Sequence, residues 1–139
     1  MFSPVSSLIY YLLYYQEQVQ VPEESEMRIN KYMEVVGSGP KPGKEKEYNQ
    51  WYHKHITDLF AFGGLKRVNR SKLFRPLGEL GKQSPLYLTL YEFDSPEDLD
   101  AFYKHPMMAD AKVQFEEEGP KSVDIYWASC YEPVETLEK

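Results

Sequence analysis

Residues 47–64 read EYNQWYHKHITDLFAFGG. Tyr48, Trp51, Tyr52, His55, Ile56, Leu59 and Phe60 recur there in steps of three and four, the spacing of one helical face. A helix is predicted over residues 44–62. It should end at Gly63-Gly64, since glycine accepts the left-handed geometry of a C-cap. Every member of the stripe is apolar or aromatic except His55. An ionisable group on a buried face must find a partner or stay neutral.

The rest of the pattern is regular. Residues 29–36 (INKYMEVV) have the β-branched and aromatic character of a strand, and the breaker cluster at 37–43 (GSGPKPG) predicts a loop. Residues 65–74 predict a strand so rich in Lys and Arg that it belongs at a sheet edge. Residues 76–85 are rich in turn formers and predict a loop. In residues 86–93 (LYLTLYEF), Leu86, Leu88 and Leu90 alternate with Tyr87, Thr89, Tyr91 and Phe93. Both faces are mostly apolar, so this strand is predicted to be central and covered on both sides. Ser95 at N-cap, Pro96 at N1 and acids in the first turn start a helix that buries Leu99, Phe102 and Tyr103. His105-Pro106 interrupts it, and a second helical piece runs over residues 107–118. Residues 122–131 form the last strand.

The order βαββαβ predicts an α+β fold of the ferredoxin-like kind: a four-stranded antiparallel sheet with the helices on one face. Such a sheet leaves its other face bare. The third strand is apolar on both sides, and so is the fourth, with Val123, Ile125 and Trp127 set against Tyr126 and Ala128. A second copy of the chain is the simplest cover, so a homodimer packed sheet to sheet is expected.

Composition narrows the function. The chain has 139 residues, enough for one domain with a real core, and a formal charge of −6 with no basic block. Nucleic-acid binding is not expected, because phosphate neutralisation needs a basic patch. The single cysteine, Cys130, excludes an internal disulfide and any multi-cysteine metal site, and is expected as a small buried hydrophobe. His53 and His55 fall on different helix faces and cannot chelate one ion, so no metal is expected.

The first 26 residues differ in character. LIYYLLYY, residues 8–15, is an apolar run of eight, short of the roughly 20 residues of a membrane helix. A secretory signal needs a basic n-region, and the first basic residue is Arg28. Residues 1–26 are expected as an appended helix or arm, residues 27–134 as the domain and residues 135–139 as a loose tail. No membrane span is expected, and a cytoplasmic location is.

Taken together, the strand, the glycine-proline loop, W-Y-x-x-H-I-x-D-L, G-G-L, a basic strand and L-Y-L-T-L-Y-E-F-D-S-P-E-D-L resemble the EthD-like branch of the dimeric α/β-barrel superfamily. The match runs over residues 32–131. The most specific pieces are Trp51-Tyr52, His55 and Asp58 on the first helix and Leu90-Tyr91-Glu92 on the third strand. Such relatives include cofactor-free monooxygenases, lactone isomerases, polyketide cyclases and haem proteins, so the resemblance implies a fold more firmly than a reaction. It implies a small-molecule enzyme without a cofactor, moving protons on an aromatic, lactone or polyketide-like substrate. His55 would be its acid/base and Asp58, one turn on, would orient the imidazole. Trp51, Tyr52, Tyr87, Tyr91 and Tyr126 would line the pocket. A single histidine can also ligate haem, but the haem-binding relatives are usually longer and no second histidine is placed to assist.

Blander readings stand beside these. His55 can be a structural histidine bonded to a carbonyl or to Asp58, and the tyrosines can be core or interface packing. Arg67 and Arg70 should point to opposite sheet faces, as edge charges or with one meeting an anion. His105 is expected to cap a helix. The rival functions are a non-catalytic dimeric module holding an apolar small ligand, and an interaction protein that works through the N-terminal arm.

Overall fold

The structure, a computed structural model, describes residues 31–139. The predicted N-terminal arm, residues 1–26, lies outside them. The elements are β1 (Tyr32–Pro40), α1 (Glu45–Leu59), β2 (Leu65–Lys72), β3 (Tyr87–Phe93), α2 (Pro96–Lys104), α3 (Pro106–Glu118) and β4 (Val123–Tyr131), with single 3-10 turns at Gly78–Gly81 and Gly119–Lys121. The strands form one antiparallel sheet in the order β2-β3-β1-β4. This is the ferredoxin-like arrangement, and it places basic β2 at an edge and β3 inside, as the pattern predicts.

The alternation on β3 sets the two faces. Tyr87, Thr89, Tyr91 and Phe93 are buried beneath the helices, while Leu88, Leu90 and Glu92 on the other face are half-buried. The core has two parts. One gathers Val36, Leu59, Leu65, Phe93 and Phe102, and the other gathers Tyr48, Tyr52, Tyr87 and Val123. Complete burial of a ring such as Phe93 or Phe102 stabilises by about 1.5–3 kcal/mol.

β1 runs further than its glycines suggest. Gly37, Ser38 and Gly39 belong to the strand and not to a loop. Their reason is close approach. A Cβ on Gly37 would stand 2.6 Å from the Trp127 ring, and one on Gly39 would stand 2.6 Å from the Tyr126 hydroxyl. Between them, Ser38 points the other way and hydrogen-bonds the Tyr48 hydroxyl of α1 at 2.7 Å.

The same contacts correct the reading of β4. Gly37 pairs with Trp127 but Ser38 pairs with Ile125, so Tyr126 is the extra residue of a β-bulge. Strict alternation would separate Tyr126 from Trp127. The bulge lays both over the glycines on the open face.

Helix ends follow the capping rules in part. Ser95 Oγ accepts the Asp98 N–H at 3.1 Å, with Pro96 at N1. His105 closes α2 and opens α3, its Nδ1 accepting the Met107 N–H at 3.1 Å. The expected left-handed glycine after α1 is not used: among the described residues positive φ occurs at Gly43 and Gly78. α1 instead tightens, with the Ala61 and Phe62 N–H groups donating to the Asp58 and Leu59 carbonyls. Gly64 is needed for space, because a Cβ there would lie 2.6 Å from the Phe62 ring. Cys130, expected to be buried, is exposed because β4 is the other edge strand.

Candidate functional site

The stripe on α1 faces the sheet. Tyr48, Tyr52 and Leu59 are buried and Trp51, His55 and Ile56 half-buried, while Phe60, past the last turn, is exposed. The stripe serves two different environments, one on each flank.

On the β2 flank, Tyr48 and Tyr52 meet Arg70. The sheet register puts Arg70 opposite Thr89 on the helix side, and Arg67 opposite Glu92 on the open side. The Arg70 guanidinium carbon lies 4.5 Å from the Tyr52 ring centre and 5.3 Å from those of Tyr48 and Tyr87. One of its amino groups donates to Asn49 Oδ1 at 3.0 Å. Arg70 is therefore a packed cation in a tyrosine cage and not the exposed edge charge expected of it. Tyr87 belongs to this flank as well. Its hydroxyl donates to Glu45 Oε1 at 2.7 Å and accepts from Asn49 Nδ2 at 3.2 Å.

On the other flank, α1, α2 and α3 lie over β1, β3 and β4 around a cavity of about 220 Å³. Its polar lining is His55 and Tyr52 from α1, Glu34 from β1, Tyr91 from β3, Tyr103 from α2 and Lys112 from α3. Trp51, Val36, Met108 and Phe115 supply much of the apolar wall. Tyr103 and Lys112 are exposed, so the cavity meets solvent on their side.

His55 sits in an aromatic corner. Its ring stacks on Trp51 with centroids 4.6 Å apart and planes 16° from parallel, and Tyr52 meets it edge-on at 5.9 Å. Burial lowers its pKa to about 4, against a smaller upward pull from Asp58. At neutral pH the imidazole is uncharged, with a lone pair available to accept a proton. Asp58 is not bonded to it as expected. The Asp58 carboxylate is exposed and accepts from Lys54 Nζ at 2.9 Å, one turn back along the helix surface.

Burial also shifts the phenols and the carboxyl of the cavity towards their uncharged forms. Desolvation raises the pKa values of Tyr52, Tyr91 and Tyr103, so all three phenols are hydrogen-bond donors and not bases. It also raises Glu34, though the Tyr103 hydroxyl beside the carboxyl opposes the shift. Among the predicted residues, His55, Trp51, Tyr52 and Tyr91 come together here, while Asp58, Tyr87 and Tyr126 lie elsewhere. Glu34 and Tyr103 were missed as site residues. Glu34 did carry a signal: it has the same parity as Tyr32 and Val36, which puts a carboxyl among apolar residues on one strand face.

Among the described residues no helix is long and apolar enough to cross a membrane. No protein-family profile matches the chain, and no curated protein does. Solved structures do. A dabb family protein with a ferredoxin-like fold from Mesorhizobium loti superposes with a TM-score of 0.59 at 14% identity, over 76% of this chain and 99% of that one. SnoaB, a cofactor-independent oxygenase from Streptomyces nogalater, gives 0.58 at 8% identity, over 79% and 99%. An EthD family protein from Bacillus halodurans gives 0.53 at 11% identity, over 74% and 99%. At these identities the likeness shows the fold, in line with the resemblance to the EthD-like dimeric α/β barrels.

Proposed function

We propose that this protein is a small-molecule enzyme that moves protons on an aromatic, lactone or polyketide-like substrate, with His55 as its acid/base. One observation carries the reading: a neutral imidazole, stacked on Trp51, stands in the wall of a cavity that meets solvent. A base of this kind accepts a proton from a carbon acid or a phenol without first losing one of its own. The apolar wall of Trp51, Val36, Met108 and Phe115 suits a flat, weakly polar molecule, and the phenols of Tyr52 and Tyr91 can hold its oxygen atoms. Asp58 acts on His55 only through its charge, and Tyr87 and Tyr126 are left as packing residues. The cofactor-independent oxygenase among the structural neighbours supports the use of this fold for such chemistry.

The test is His55→Ala. Turnover should be lost while ligand affinity stays within about tenfold, or ~1.4 kcal/mol. A ligand that binds with no turnover by the wild-type protein, and whose affinity alone responds to His55→Ala, would make the chain a binder.

Among the described residues nothing covers the open sheet face, which supports a homodimer as the functional unit. Tyr126, Trp127 and Tyr131 are exposed there, next to half-buried Leu88, Leu90 and Val35. An apolar patch of this kind, running from β4 across β1 and β3, calls for a partner.

A further inference from the structure

The cavity wall facing the helices carries a group that the His55 reading does not use. Glu34 is on β1, the strand between β3 and β4, and its register partners are Tyr91 and Cys130. It lines the same cavity as His55, from the sheet side, while His55 lines it from α1. Tyr103 of α2 is its neighbour and also reaches Cys130 Sγ, at 3.6 Å. No salt bridge binds Glu34 among the described residues, and the one arginine on this side of the sheet, Arg70, is turned into its tyrosine cage. Among the described residues the only cation in the cavity lining is Lys112, exposed on α3.

We propose that Glu34 is a second catalytic residue, the proton donor to a carbonyl oxygen of the substrate. The substrate class is then an uncharged, enolisable carbonyl compound such as an unsaturated lactone. This rests on the proton-transfer reading of His55 and names the partner that reading lacks. His55 takes a proton from the carbon beside the carbonyl. The C–H electron pair forms a carbon–carbon double bond, the carbonyl π pair moves onto oxygen, and the Glu34 carboxyl protonates that oxygen. The enol collapses in reverse: Glu34 recovers the oxygen's proton, and the His55 imidazolium returns its own to the same carbon or to the far end of the conjugated system. No oxidant or reductant is needed, and the product is an isomer of the substrate. An anionic substrate would have to give up its hydration to a mostly apolar cavity in which His55 is uncharged before the reaction, which selects neutral molecules.

Burial supports the assignment, since it holds the Glu34 carboxyl protonated to higher pH than an ordinary glutamate and holds His55 unprotonated to lower pH than an ordinary histidine. Opposite shifts of this kind, in which the acid keeps its proton and the base stays free of one, suit an acid and a base in one site. The charges and protons that face Glu34 are those of Tyr91 on β3, Cys130 on β4, Tyr103 on α2, Lys112 on α3, and His55 and Tyr52 on α1.

The experiment uses the full chain and α-angelica lactone, a β,γ-unsaturated lactone with an acidic carbon next to the carbonyl. Deuterium uptake from D2O and conversion to the conjugated isomer are followed by NMR. Wild type should catalyse both, with an alkaline limb in the pH profile set by Glu34. Glu34→Gln should lose about 100-fold or more in kcat with little change in KM, and should lose that limb. His55→Gln should abolish both reactions. If Glu34→Gln keeps kcat within twofold and keeps the limb while His55→Gln is inactive, the Glu34 assignment falls and the His55 reading stands. If wild type exchanges no deuterium, both fall. Circular dichroism melts of the two variants, each expected near wild type or above it, separate a chemical loss from misfolding. A Glu34→Asp variant that is folded and as slow as Glu34→Gln would place the donor's position, and not only its acidity, in the mechanism.

Discussion

The indole of Trp51 lies flat on the imidazole of His55, one helical turn away, with ring centroids 4.6 Å apart. This stacking covers a face of the imidazole that water would otherwise reach. It accounts for part of the burial that lowers the His55 pKa to about 4. Trp51→Ala should therefore raise that pKa towards the ordinary 6.5, read from the His55 ring resonances in an NMR titration. A pKa unchanged in the variant would place the desolvation elsewhere in the cavity.

The same shift makes folding stability depend on pH. The folded imidazole has its pKa at about 4 and the unfolded one near 6.5, so between these values the unfolded chain binds more protons. Stability should fall as pH drops from about 6.5 to about 4 and level off below, with an upper limit of roughly 3 kcal/mol for this one group. Glu34 has the opposite sign. Its folded pKa is raised, so its contribution is full below 4.5 and is lost as pH rises to the folded value. Urea melts across pH 3.5–8 check this (the range is about that of the two titrations). His55→Gln should remove the loss on the acid side, and Glu34→Gln the loss above pH 4.5.

Gly37 and Trp127 are matched across the β1–β4 pair. A methyl group at Gly37 would stand 2.6 Å from the Trp127 indole, so the ring would have to leave its place over the strand. Gly37→Ala should cost about 1–3 kcal/mol, the range of overpacking. In a Trp127→Ala background the same change should cost far less. Additive effects in that double-mutant cycle would separate the two residues.

The Arg70 guanidinium carbon stands 4.5 Å from the Tyr52 ring centre, and a lysine has no planar fork to put there. Arg70→Lys should destabilise the fold by about 1–2 kcal/mol, through the weakened cation–π contacts and the lost bond to Asn49 Oδ1. Thermal melts decide it. A substitution without effect would return Arg70 to the role of an edge charge.

Leu90 is at the middle of β3 on the open face, half-buried in one chain. If a second copy covers that face, Leu90→Lys should convert a dimer to a monomer in light scattering and leave the circular dichroism spectrum unchanged. A wild-type monomer at micromolar concentration would remove the dimer from the proposal.

The sequence alone determined the elements, their order and the two-sided character of β3. Each of these follows from spacing along the chain: a period near 3.6 or of 2 states which residues share a face, whatever the face meets. It also singled out His55, because one polar residue in an apolar stripe is visible without coordinates. The tertiary structure decided what that face meets. Tyr126, a predicted pocket residue, lies on the open side opposite Ile125, and the bulge beside it brings Trp127 onto the same side over the glycines. The Lys54 ammonium took the Asp58 carboxylate, since both stand on the solvated side of α1. Sheet register and helix rotation together brought Glu34 and His55, 21 positions apart in the sequence, to opposite walls of one cavity. No local pattern records such a meeting, because it depends on how separate segments pack and not on what either segment prefers.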